Sequence, residues 1–147
     1  MPEYAARGIR LERATQPAIS YAYFNMDDPV FGGYAPARIA LRRAISMGYD
    51  VKEEIRVLRQ NQGLPATQVV PPNMTGHDPA YDGRIKFDPP GAKALLDRLG
   101  YVDRNGDGFR ELPDGTPLTL RMASATTGQD READELWKRS LTAIGIR

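Results

Sequence analysis

The 147-residue sequence contains no cysteine. That excludes disulfides, thiolate metal sites, thiol nucleophiles and a cysteine-borne lipid anchor within these residues. It has a single histidine, His77, so neither a multi-histidine metal centre nor a Ser-His-Asp hydrolase is expected. No apolar run approaches the roughly 18 residues that a membrane-spanning helix needs, and no basic-then-apolar signal segment opens the chain. Charge of neither sign dominates. Twenty Lys and Arg face 19 Asp and Glu, for a net charge of +1, whereas a nucleic-acid module would carry a basic patch or stripe. There is no pair of carboxylates set for acid–base work, no glycine-rich phosphate loop and no nucleophile–base set. The residues therefore predict a protein that is not an enzyme, with no cofactor and no metal. A chain of this length makes one domain or a piece of a larger one.

What the sequence does hold in excess is glycine and proline, 14 and 12 residues, more than ordinary usage supplies. They gather in connectors at Pro29–Pro36, Gly63–Asp82, Asp88–Gly91 and Gly106–Pro117. The connector Gly63–Asp82 is long for a compact domain and is expected to pack against something.

Between the connectors lie periodic segments. Ile19–Met26 is aromatic and partly alternating, which predicts a strand, with Ile9–Glu12 as the other arm of a hairpin. Pro36 suits a first helical turn, and Ile39, Ala40, Ala44, Ile45 and Met47 recur at helical spacing up to Gly48. Asp50 is a candidate N-cap with Glu53 as its capping-box partner. The helix it opens places Val51, Ile55 and Leu58 on one face and ends before Gly63. Pro89-Pro90 starts a third helix over Ala92–Leu99, closed by Gly100. Phe109–Leu112 and Leu118–Met122 flank Pro113-Asp114-Gly115, a hairpin signal. Ala133, Leu136, Trp137, Leu141 and Ile144 mark an amphipathic helix over about Asp130–Ala143, stopped at Gly145. Ile146-Arg147 reads as the first step of another strand, which predicts a fragment or excised domain.

Four groups of residues could carry chemistry. Asp103, Asn105, Asp107, Gly108 and Asp114 fall at the ligand and sharp-turn positions of an EF-hand calcium loop. However, Asp114 stands where the bidentate Glu belongs, Pro113 adjoins it, and a strand rather than a helix follows. The same residues fill ordinary turns, because Asp, Asn and Gly tolerate left-handed backbone and cap their own amides. His77, in a Gly-Pro-rich loop, is expected at the surface or as a local hydrogen-bonder, and Trp137 could offer a ligand a stacking platform but at helical spacing is expected in the core. Arg38, Arg42 and Arg43 could hold an anion, or form a solvated surface with modest ion pairs to Asp50, Glu53 and Glu54. Ser124-Ala-Thr126-Thr127-Gly-Gln129 is a small polar segment between a strand end and a helix start, where free N–H groups point outward in open α/β folds. One of its hydroxyls could cap the helix, and the segment could contact a ligand; the two roles are compatible.

In order along the chain, several stretches resemble the peptide- and oligosaccharide-type extracytoplasmic solute-binding proteins of ABC importers. They are Phe24-Asn25, Leu41–Asp50 with Glu54-Ile55, Gly63–Ala66, Val70–Pro72, Phe87–Leu96, Gly100-Tyr101, Asp103–Glu111, Pro113–Gly115 and Ile144–Ile146. The Asp28–Tyr34 insertion departs from the commonest pattern. The resemblance implies an α/β fold, part of a periplasmic-binding-protein type II-like lobe with helices packed on a small sheet and a β-hairpin. It implies that residues 1–147 are a partial lobe of a bilobed protein, periplasmic or extracytoplasmic, membrane-anchored only through the permease or a lipid anchor outside this chain. That protein would capture a peptide or other small solute and deliver it to ABC permease subunits. Carried over by position, Ser124, Thr126, Thr127 and Gln129 match a loop that faces the solute, with Ser124 and Gln129 at the closest positions. The Asp103–Asp107 loop matches a structural hairpin. The reading set against it is a free-standing calcium-stabilised interaction module built on Asp103–Asp114. An incomplete lobe is also expected to be marginally stable or to self-associate through its orphaned sheet edge.

Overall fold

The structure, a computed structural model, describes residues 2–147. Its elements are α1 (Pro2–Ala6), α2 (Pro36–Met47), α3 (Val51–Val57), α4 (Pro89–Arg98) and α5 (Gly128–Ala143). The chain divides into two compact units, one combining the N-terminal segment through Tyr21 with Ala66–Arg84, the other combining Ala22–Pro65 with Ile85–Arg147.

The larger unit holds the core. Leu41, Ala44 and Ile45 of α2 meet Ala92 and Leu96 of α4, and Phe31, Tyr101, Leu118, Ile144 and Ile146 complete the cluster. Helix α2 packs on α4 because each presents small and branched residues at i, i+3 and i+4 on its inner face. Pro36 opens α2 and Gly48 closes it, its N–H donating back into the last turn. Asp50 caps α3, its carboxylate accepting from the N–H groups of Lys52 and Glu53. The reciprocal half of the expected capping box is not made: Glu53 turns outward to Arg56 and Arg139. Helix α4 begins at Pro89, earlier than the periodicity suggests, because Asp88 accepts from the N–H of Gly91. Gly100 follows the helix with φ of 82°, the left-handed residue that ends it. Trp137 stacks on Tyr49 with ring centroids 3.8 Å apart and packs against the core.

The Asp28–Tyr34 insertion is a tight loop closed on itself. Asp28 accepts from the N–H groups of Val30 and Phe31. A Cβ at Gly32 would fall within 2.7 Å of the backbone of Met26 and Asp28, so no other residue fits there. Arg38 donates to the carbonyl of Gly32, and Arg42 to those of Phe31 and Gly33. These two arginines are therefore neither anion ligands nor partners of Asp50, Glu53 and Glu54. They tie the insertion to α2.

The expected small sheet is not formed among the described residues. Residues 19–26 and 9–12 carry no strand, and Tyr23 is 83% exposed. Aromatic alternation expresses a preference for a half-buried pleated surface, and it becomes a strand only beside a neighbouring backbone. The turn of the second hairpin does form. Gly115 takes a φ of 89°, and the N–H of Leu112 donates to Thr116. Its arms join in one antiparallel bridge, Glu111 with Pro117. They extend no further because the N–H of Arg110, which a longer ladder would aim at Leu118, donates to Gly145 instead, while that of Glu111 points away from the pair to Val102. The last residues do pair as expected of a strand start: Arg147 donates to Leu118 and accepts from Leu120, and Ile146 is fully buried.

In the smaller unit the long connector folds back upon itself. The Gln68 amide donates to the carbonyl of Asp78 and accepts from its N–H, and Gly83 donates to Thr67. His77 donates through Nδ1 to the carbonyl of Val70 at 2.8 Å, since a carbonyl can only accept. It is the local hydrogen-bonder its setting predicts. Helix α1, a single short turn with little periodicity to betray it, was not evident from the sequence.

Candidate functional site

The segment expected to face a solute lies at the N-terminus of α5. Thr127 is the N-cap, and its hydroxyl accepts from the N–H of Asp130 while donating to the Asp130 carboxylate. Helix α5 therefore starts at Gly128, before the apolar periodicity begins. The Ser124 hydroxyl donates to the Asp134 carboxylate at 2.6 Å, which fastens the loop to the second turn of α5. The other Asp134 oxygen is buried and accepts no hydrogen bond among the described residues. Thr126 is exposed, and its hydroxyl has no partner among the described residues. The Gln129 side chain lies outside the described residues. Of the three remaining positions the structure thus spends Thr127 on the cap, anchors Ser124, and leaves Thr126 open. Asp134 is the residue that sequence reasoning missed. It joins the loop only because helical geometry carries its side chain back over the first turn, a relationship with no local motif.

The Asp103–Asp114 loop assembles as a turn. Asp103 accepts from the N–H groups of Gly106 and Gly108. Asp107 accepts from the N–H of Phe109 and from Arg147, and both hold its carboxyl below the ordinary carboxylate range, the Phe109 bond most strongly. Asp114, in the position a calcium loop needs for its bidentate ligand, instead accepts from the backbone and hydroxyl of Thr116. Those bonds, the backbone one first, lower its pKa as well. The carboxylates that do converge are Asp103, Asp107 and Glu111, with ligand atoms within 4.8 Å of one another. Glu111 is buried and accepts from the N–H of Arg104 at 2.8 Å. Each carboxylate of the group is thus occupied by donors of the protein itself. Glu111 was missed as a member because its approach depends on the turn bringing two segments together.

Apolar hollows lie elsewhere. A groove of about 690 Å³ runs between α2 and α4, lined by Ile39, Ala40, Arg43, Met47, Leu95 and Arg98 among others. A shallower hollow of about 380 Å³ in the smaller unit involves Ile19, Val69, Tyr81 and Arg84. No helix among the described residues is long and apolar enough to cross a membrane.

Comparison with known proteins places this arrangement. Residues 2–147 match the family of bacterial extracellular solute-binding proteins, family 5. The chain is 34% identical over 112 residues to a di/tripeptide-binding protein of Pseudomonas aeruginosa, covering 73% of this chain and 18% of that protein. Among solved structures it is similar to a periplasmic oligopeptide-binding protein of an ABC transporter from Thermotoga maritima. That match has a TM-score of 0.69 and 27% identity, and it covers 85% of this chain and 24% of that one. The oligopeptide-binding protein AppA of Bacillus subtilis, solved with a nonapeptide, shares the fold at a TM-score of 0.74 and 21% identity, over 84% of this chain and 24% of its own. The chain thus spans less than a quarter of the length of each of these relatives. The likeness supports the expected lobe architecture, although among the described residues the hairpin arms share a single bridge and no sheet forms. The chain belongs to the bacterial extracellular solute-binding proteins of family 5.

Proposed function

We propose that this chain supplies part of one lobe of an extracytoplasmic binding protein that captures a peptide and passes it to ABC permease subunits. The observation that carries the reading is the family match over residues 2–147, joined by the likeness to a di/tripeptide-binding protein. Within the lobe, the loop of Ser124, Thr126, Thr127 and Gln129 is the solute-facing segment. Its support is physical as well as positional. Ser124, Thr126 and Thr127 are exposed, and the loop stands at the helix end where N–H groups and the helix dipole favour carbonyl and carboxylate groups. It is also held in place by the Ser124–Asp134 bond and keeps the Thr126 hydroxyl available. A peptide, rich in amide donors and acceptors, suits hydroxyl and amide side chains of this kind.

The test is calorimetric titration of the polypeptide, expressed as its gene encodes it, with dipeptides, tripeptides and longer peptides. Ser124→Ala and Thr126→Val are expected to weaken peptide binding by about five- to tenfold, the loss of one hydrogen bond each. Absence of binding to every peptide would defeat the reading. Binding that both substitutions leave untouched would defeat the assignment of the loop.

A further inference from the structure

The turn that begins at Asp103 contains the step Asn105-Gly106, and the chain also carries the steps Asp82-Gly83, Asp107-Gly108 and Asp114-Gly115. An asparagine before glycine is chemically labile. The glycine nitrogen can reach Cγ of the asparagine because glycine has no Cβ to hinder the approach. A bond forms between that nitrogen and Cγ, the N–H proton passes to hydroxide or water, and the Cγ–Nδ2 bond breaks to release ammonia. Water then opens the five-membered imide at either carbonyl and leaves aspartate or isoaspartate. Aspartate before glycine closes to the same imide with loss of water.

At each of these steps the glycine nitrogen is held. Gly83 donates to the carbonyl of Thr67, and Gly115 to that of Leu112. At the other two steps a single side chain does the holding. The N–H of Gly106 donates to Oδ1 of Asp103 at 2.7 Å, and the N–H of Gly108 to Oδ2 at 2.9 Å. Asn105 and Gly106 are both exposed, so hydroxide and water reach them. The Asn105 carboxamide is turned toward Asp107, its Oδ1 accepting from the Asp107 N–H at 2.8 Å and its Nδ2 donating to the Asp107 carboxylate at 3.4 Å.

We propose that Asn105-Gly106 is a site of spontaneous deamidation and that the Asp103 carboxylate holds it in check. The Gly106 nitrogen cannot swing toward Cγ without breaking a charge-assisted bond. The carboxylate also opposes loss of the amide proton, because a negative charge beside the nitrogen disfavours an amide anion. It is far too weak a base to take that proton itself. Conversion would place a carboxylate where the Asn105 amide now faces Asp107. It would stand beside Asp103, Asp107 and Glu111, whose ligand atoms already lie within 4.8 Å of one another, and like charge would loosen the turn. The proposal is independent of the solute bound at the α5 loop.

The experiment incubates the full chain at neutral pH beside an end-blocked synthetic peptide of residues 101–112, in which the Gly106 N–H is open to water. Peptide mapping by mass spectrometry follows the amide-to-acid mass gain at Asn105. Digestion in water enriched in heavy oxygen marks any conversion made during the work-up. The chain is expected to convert at least about tenfold more slowly than the peptide, since a charge-assisted bond must open first. Asp103→Ala is expected to speed conversion in the chain about fivefold or more. Asp103→Asn, which keeps one carbonyl acceptor without the charge, should fall between. Asp114→Ala disturbs the same hairpin without touching Gly106 and should leave the rate unchanged. Circular dichroism and Trp137 fluorescence confirm that each variant stays folded. A peptide that keeps its amide would overturn the site. A chain as fast as the peptide, or Asp103→Ala no faster than native, would overturn the guard. Slower conversion in Asp103→Ala would make the carboxylate a base instead, and equal acceleration by Asp114→Ala would assign the protection to the turn as a whole; either result defeats the proposal.

Discussion

The guanidinium of Arg110 donates to the backbone carbonyl of Ile144 at 2.8 Å, across 34 residues of sequence. The same group donates to the carbonyl of Tyr101 and pairs with Asp97, while the backbone N–H of Arg110 donates to Gly145. One side chain thus joins the end of α4, the turn segment and the end of α5, and is only 11% exposed. Replacing it with methionine keeps the bulk and removes every donor, leaving carbonyls short of partners in a half-buried place. Arg110→Met is expected to cost about 2–3 kcal/mol. Urea unfolding followed by Trp137 fluorescence checks it, and a midpoint equal to that of the native chain would show that water replaces these bonds without loss.

Gly48 and Ile144 set the spacing between the end of α2 and the end of α5. A Cβ on Gly48 would stand 2.8 Å from Cδ1 of Ile144, and Ile144 is fully buried, so it has no room to yield. Gly48 has an ordinary helical φ of −76°. The position therefore excludes a side chain through packing and not through backbone strain. Gly48→Ala is expected to destabilise by about 1–3 kcal/mol, the usual cost of overpacking. Ile144→Val removes the clashing methyl and alone costs about 1 kcal/mol. The double variant should be more stable than the sum of the two losses predicts. Strict additivity in thermal melts would show that the two residues do not meet.

Thr127 performs the capping role that was one of two open for its segment. Thr127→Ala removes the acceptor for the Asp130 N–H and is expected to cost about 1 kcal/mol. Thr127→Ser should restore most of it. Since the cap lies inside the loop assigned to the solute, calorimetric affinity and melting temperature measured on both variants separate the two roles. A structural cap alone would lower the melting temperature and leave affinity at temperatures well below the melt unchanged.

The helices were legible because their signals are local. Asp50 caps its own next turn, Pro36 and Pro89 fix a helical φ where no N–H is needed, and the apolar residues of α2 and α5 repeat at the spacing that buries one face. The missing strands were read from side-chain preference, but a strand exists only by virtue of its neighbour. Arg110 and Glu111 have the composition of a hairpin arm, yet their N–H groups go to Gly145 and Val102, and no local pattern announces that. Arg38 and Arg42 show the same limit. Charge alone suggested anions or carboxylates, whereas their partners are carbonyls of a loop whose closure had first to be known. At the site, Thr127 and Ser124 could be picked out as polar residues at a helix start, but Asp134 could not. Its tie to Ser124 arises from the geometry of the helix between them.

Acid should loosen the Asp103–Asp114 turn only once the pH falls below the ordinary carboxylate range. Asp107 is held below the ordinary carboxylate range by the Phe109 N–H and by Arg147, and Asp114 by the backbone and hydroxyl of Thr116. Because the folded pKa values lie below the unfolded ones, the bonds contribute fully above the unfolded value of about 3.9. They are lost as pH falls from there through the lower folded values. Both carboxylates are open to water, so the effect is confined to the turn and is small. Amide proton shifts of Phe109 and Thr116 are expected to stay flat from neutral pH down to about pH 4 and to titrate only below it. Arg147→Met removes the ion pair and the hydrogen bond to Asp107 and should move the Phe109 titration upward, while leaving that of Thr116 in place. Midpoints at the ordinary value in the native chain would mean that these bonds are too transient to bias the carboxyls. The turn would then be held by glycine backbone geometry alone.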